Sequence, residues 1–189
     1  MSSTRVSLQT ALVGIGLSLL LGSCFTPSPI PTLISETIAP PLVLGTLPVS
    51  GSEPAYEPDL WNDAEGQCFW TDASLVECST NCYAYALDDR TPLPYGTTLQ
   101  PGQISGYSLT AADVTVERII ELSMADAAAG EYLFEEVAGN EACASGSYKI
   151  ALVVDPIAPD YHWYRQNPDG TWSSKSGLTP VTDVDAGTH

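Results

Sequence analysis

Along the chain, apolar positions change period several times, and each change predicts an element. Val116, Ile119, Ile120, Met124 and Ala127 recur at helical spacing and give one apolar stripe. Thr110 followed by Asp113 predicts a capping box at the helix start, and Gly130 after "AAA" predicts its C-cap. From Ser147 the run "SYKIALVV" is rich in β-branched residues and lies between "SG" and "DPIAPD", so it predicts a buried strand. "YHWYRQ" and "TWSSK" flank "NPDG", which predicts a β-hairpin whose loop is Pro168, Asp169 and Gly170. In that register Asn167 faces Thr171 and Tyr164 faces Ser174, so Ser174 shares the face of His162. Upstream, "TNCYAYAL" predicts a short helix that begins at Cys82, capped by Thr80 or Asn81 and broken by "DDRTPLPYG". The order helix, helix, strands predicts an α+β domain. "TTLQPGQISG" reads as a loop with no signal of its role.

The first residues behave differently. One basic residue, Arg5, precedes an apolar run from about Ala11 to Leu21, which predicts a secretory signal peptide over 1–23. Its end, Leu21-Gly22-Ser23-Cys24, resembles a bacterial lipobox, which would make Cys24 the lipidated N-terminus; the plainer alternative is a signal peptide with an unrelated cysteine after it. Two or more acyl chains give stable anchoring. The membrane, reached through the lipid anchor on Cys24, is then the first expected partner, at the bacterial cell envelope. More than half of the 15 prolines fall between Phe25 and Pro58, which predicts an extended tether over 24–58. Residues 59–189 suffice for one domain with a real core.

Composition narrows the function. A net charge of −17, from 6 basic and 23 acidic residues, repels polyanions and offers no basic patch, so no nucleic acid is expected as a partner. No phosphate loop, zinc helix or serine elbow is present, and no cofactor or metal is expected.

The candidate chemistry centres on Cys82. A thiol in the first turn of a helix meets the positive end of the helix dipole and unpaired N–H groups, which favour thiolate. His162, on a predicted strand, is the one histidine that a rigid backbone would hold; the other, His189, ends the chain. Two other readings stay open. With Cys24 lipidated, Cys68, Cys78, Cys82 and Cys143 make an even set that would fit two disulfides in an oxidising compartment. Cys78, Cys82, Cys143 and His162 would also suit a metal, although C-x3-C is weak spacing for zinc.

"TNCYAYAL" followed by "ALVV…DYHWYRQNPDGTWSSK" resembles the NlpC/P60 and CHAP branch of the papain-like cysteine peptidases and amidases. It is more similar still to bacterial proteins of unassigned activity that carry a Cys-Tyr-x-Tyr-Ala helix and a "YHWYRQ" hairpin. The resemblance implies a papain-like (NlpC/P60-like) domain, with the cysteine helix packed on a small antiparallel sheet bearing the histidine. It implies Cys82 as nucleophile, His162 as general base, Ser174 as the group orienting the imidazole, and the Cys82 backbone N–H with the Asn81 side chain as oxyanion donors. The related proteins carry histidine where Ser174 stands, and Asp183 and Asp185 are alternatives for that third role. The implied activity is cleavage or transfer of an amide, with peptidoglycan peptide as substrate. The alternative, favoured by Ser174, is a catalytically inactive, disulfide-stabilised envelope binding or interaction module.

Overall fold

The computed structural model describes residues 5–12, 20–23, 47–62, 76–91, 93, 97–137, 140–155 and 157–183. Its elements in chain order are β1 (Arg5–Leu12), β2 (Leu20–Ser23), α1 (Val76–Ser79), α2 (Cys82–Ala86), α3 (Val116–Gly130), β3 (Leu133–Glu136), β4 (Ser147–Asp155), β5 (Asp160–Gln166), β6 (Trp172–Lys175) and β7 (Val181–Thr182). The strands form one mixed sheet in the order β2-β1-β4-β5-β6-β7, with β3 also paired to β1. The protein is therefore α+β; β4 to β6 are the expected antiparallel meander, and β7 adds a short strand that was not predicted.

The meander follows the local sequence closely. Tyr164 pairs with Ser174, and β4 pairs β5 without interruption from Ile150–Arg165 to Asp155–Asp160. In the turn, the Asn167 N–H donates to Thr171 O at 2.8 Å, and Gly170 takes a positive φ of 83° that disfavours a side chain. Alternation gives the sheet two faces. Tyr148, Ile150, Leu152 and Val154 join Trp163 in the main core, with Tyr83 and Ala84 of α2 and Ile119 of α3. Ala151, Tyr164 and Trp172 cluster on the other face with Leu47 and Val153.

Helix α3 starts later than the capping-box signal predicts. Thr110 and Asp113 do form the reciprocal box, but it closes a 3-10 turn at Ala111–Asp113. The α-helix is capped by Thr115, whose side chain accepts from the Arg118 N–H. At the other end Gly130 is the last helical residue, and Glu131 takes the left-handed conformation at φ 60° instead. Glycine is required at 130 for packing, because a Cβ there would lie 2.6 Å from Cε1 of Tyr132.

Residues 47–58 differ from the predicted tether, since they are docked on the domain. Gln166 Nε2 donates to Leu47 O at 2.9 Å, Lys149 Nζ to Pro48 O at 3.4 Å, and an Arg165 guanidinium nitrogen to Ala55 O at 3.3 Å. Proline lacks a donor but keeps its carbonyl, so a proline-rich stretch still serves as an acceptor for sheet side chains. Residues 47–58 are thus packed on the domain where an extended tether was expected. Residues 24–46, with Cys24, and also Cys68 and Asp185 lie outside the described residues.

The segment expected as leader contributes β1, which runs parallel to both β4 and β3. Its "RVSLQTAL" alternates apolar and polar residues over its first half, a period that a strand accommodates. Among the described residues no helix is long and apolar enough to cross a membrane.

Candidate binding cleft beside Cys82

The turn from α1 into α2 is built from backbone polar groups that find buried partners. Asn81 caps α2: its Oδ1 accepts from the Ala84 N–H at 3.1 Å, and its Nδ2 donates to Leu99 O at 2.8 Å. The expected oxyanion donor is thus committed at both ends to holding the helix start and the 97–100 segment. The fully buried Lys175 closes the same corner from β6, donating to Glu77 O at 2.7 Å and to Thr80 O and Gly177 O at 2.8 Å. Burial pulls its ammonium down to about 8, against the opposing charge of Glu77.

Cys82 is a free thiol, whereas Cys78 is disulfide-bonded. The two-disulfide scheme in which Cys82 is a staple is therefore incorrect, because this thiol turns toward the sheet at the start of α2. Among the described residues no group of three metal-ligating side chains exists either, which removes the metal alternative. Cys82 is only 6% exposed, and burial pushes its thiol up to about 12. The backbone N–H groups of Trp163, Tyr83 and Cys82 itself oppose that shift, while the nearby Asp160 carboxylate adds to it.

Cys82 opens onto a cleft of about 510 Å3. Asn81 and Cys82 form one wall, Thr98 and Gln100 a second, Asp160, Tyr161 and His162 a third, and Ser176 and Gly177 close it. Tyr161 Oη donates to Gln100 Oε1 at 2.6 Å, and Gln100 Nε2 donates to Thr98 Oγ1 at 2.9 Å, so this wall is a connected polar rim.

The structure brings Cys82 and His162 to one cleft. Helix α2 covers the face that carries Trp163, Arg165, Ser173 and Lys175: the Tyr83 and Trp163 rings lie 5.7 Å apart, Arg165 stacks on Tyr85 at 4.0 Å, and Tyr85 Oη meets Ser173 Oγ at 2.6 Å. By strand alternation His162 shares the face of Tyr164, and its ring lies edge-on to Tyr164 at 4.9 Å. Ser174 shares that face as predicted, yet its buried Oγ has no hydrogen-bond partner among the described residues. Asp183, the alternative third residue, lies near Tyr56, whose phenol is raised first by burial and then by the Asp183 charge, with the Asp183 backbone opposing the shift.

Several residues of this region carried no sequence signal. Asp160 and Tyr161 flank the predicted histidine, and Thr98 and Gln100 belong to the unassigned loop. Asp126, fully buried on α3, joins the loop to both helices by accepting from Gly102 N at 2.7 Å, Ser105 N at 2.8 Å and Tyr83 Oη at 3.0 Å. A lone acidic residue among alanines gives no warning of that role.

No protein-family model matches the chain, and no solved structure matches it. Insoluble matrix shell protein 1 of Ruditapes philippinarum is 31% identical over 130 residues, which cover 69% of this chain and 71% of that protein. The chain belongs to the family of insoluble matrix shell protein 1.

Proposed function

We propose that this chain is an exported, lipid-anchored envelope protein whose domain acts as a non-catalytic binding module, a papain-like arrangement that has kept its cleft and lost its chemistry. The observation that carries this reading is the geometry at Cys82. The thiol is buried, and burial raises it to about 12. A cysteine nucleophile acts as thiolate, and a thiol raised that far is protonated at neutral pH. The relative is named for an insoluble matrix, not for a reaction. If the leader is removed at Cys24, β1 and β2 leave with it, and the meander still supplies the whole sheet wall of the cleft.

A cysteine amidase acting on peptidoglycan peptide is the second reading. It is favoured by the placement of Cys82 at the first turn of α2, with three backbone N–H groups at its sulfur and a cleft in front of it. Alkylation separates the two. A catalytic thiolate reacts fast at neutral pH and slows in His162→Ala, whereas the module reading expects a slow thiol indifferent to that substitution. Release of peptide fragments from a peptidoglycan digest, lost in Cys82→Ala, would overturn the module reading outright.

A further inference from the structure

The cleft has one charged side chain on its walls. Asp160, at the first residue of β5, is exposed, and one of its oxygens accepts the Tyr161 N–H at 2.8 Å. Among the described residues no lysine or arginine forms an ion pair with it, because the three ion pairs present use Asp113, Glu121 and Asp88. Lys175, the cation nearest the cleft floor, is fully buried and gives its protons to three backbone carbonyls, so it does not neutralise Asp160. The remaining walls are amide, hydroxyl and phenol groups with the Cys82 thiol and the His162 imidazole, chemistry that matches peptide N–H and C=O groups, and no lysine or arginine lines the cleft. The field of a chain with net charge −17 draws cations and repels anions at every approach.

We infer that the cleft binds a short peptide carrying a primary ammonium group, with Asp160 as its counter-ion and Gln100 and Tyr161 as flanking polar contacts. This rests on the reading of the cleft as a binding site and adds the class of ligand. The volume lies within the ~300–1,000 Å3 range of small-ligand clefts, room for about two or three residues. The ammonium is either the α-amine of the peptide or a lysine-type side-chain amine, and the rim presents the same carboxylate to both.

The test titrates the full-length chain with Ala-Lys-Ala and with its Nα-acetylated, Nε-acetylated and doubly acetylated forms, followed by calorimetry and by protection of Cys82 from alkylation. The expected result is that double acetylation weakens binding about fivefold or more, that the difference shrinks as salt is raised, and that the singly acetylated peptides show which amine pairs. In Asp160→Asn the unmodified peptide should weaken by a similar factor and the doubly acetylated one should not change. Because the acetylation series is read on the unaltered protein, a misfolded variant would not blunt the test. Equal affinity for the free and doubly acetylated peptides overturns the counter-ion inference and leaves the module reading in place. No binding and no Cys82 protection by any of the four peptides overturns the inference and the reading of the cleft together.

Discussion

A pH–rate profile for alkylation of Cys82 measures the feature on which the functional reading turns. With the thiol pushed from its ordinary value of 9.0 up to about 12, roughly one molecule in ten thousand carries thiolate at pH 8. An unperturbed thiol at 9.0 would be ionised in about one molecule in ten, so Cys82 should react with iodoacetamide on the order of a thousandfold more slowly. Steric burial slows it further. The rate should climb about tenfold per pH unit from pH 7 to 10 without a plateau, and His162→Ala should leave both rate and slope unchanged. Peptide mass analysis separates Cys82 from the other buried thiol, Cys143, and the same chain in urea supplies the unhindered reference rate. The raised value also predicts the direction of stability. Above the ordinary thiol range the unfolded chain ionises first and binds fewer protons than the folded one, so the Cys82 contribution to stability is lost as pH rises from about 9 toward 12. A plateau reached by pH 7, or a tenfold loss of rate in His162→Ala, would refute the geometric argument and restore the hydrolase.

Three further outcomes are open to direct measurement. Asp126→Ala leaves Gly102 N–H, Ser105 N–H and Tyr83 Oη without their acceptor, and urea unfolding should show a loss of about 3 kcal/mol or more, with proteolytic nicking appearing first in the 100–107 loop. Lys175→Met strips the donor from the Glu77, Thr80 and Gly177 carbonyls and should destabilise by about 2–4 kcal/mol in the same assay near pH 7, and by more as pH rises from about 8 toward 10.5, where the unfolded chain binds the lysine proton that the folded chain has lost and the wild type gains stability. Gly130→Ala, which raises helix propensity by about 1 kcal/mol, should nevertheless lower the melting temperature, because the new Cβ meets the Tyr132 ring.

Local rules were sufficient wherever one short segment settles its own conformation. Asn81 before Cys82 starts α2 because its side chain satisfies the Ala84 N–H, and Gly170 sets the hairpin register that pairs Tyr164 with Ser174. The α+β class follows from the same periodicities. Where two segments compete for one role, the local signal misleads: the capping box at Thr110 closes only a 3-10 turn, and Thr115 caps the helix. The relative placement of His162 and Ser174 was legible from alternation alone, since residues two apart on a strand share a face.

Which face receives α2 was not legible. Both faces of β4 and β5 carry large side chains, with Tyr148, Ile150 and Trp163 on one and Val153, Tyr164 and Trp172 on the other. A helix could bury its apolar side on either. The choice depends on partners distant in sequence: Tyr85 meets Ser173, Arg165 stacks on Tyr85 and reaches Asp88, and Lys175 fills the carbonyl corner before α2. The sequence by itself therefore determined the helix start at Cys82, the hairpin and its register, the acidity and the α+β class, all of which rest on contacts within a few residues. Only the tertiary structure decided that Cys82 is buried with its thiol raised, that it shares a cleft with His162, that Asp160 forms no ion pair among the described residues, and that residues 47–58 pack on the domain. Those outcomes depend on burial and on side chains brought together across the sheet, which no local pattern encodes.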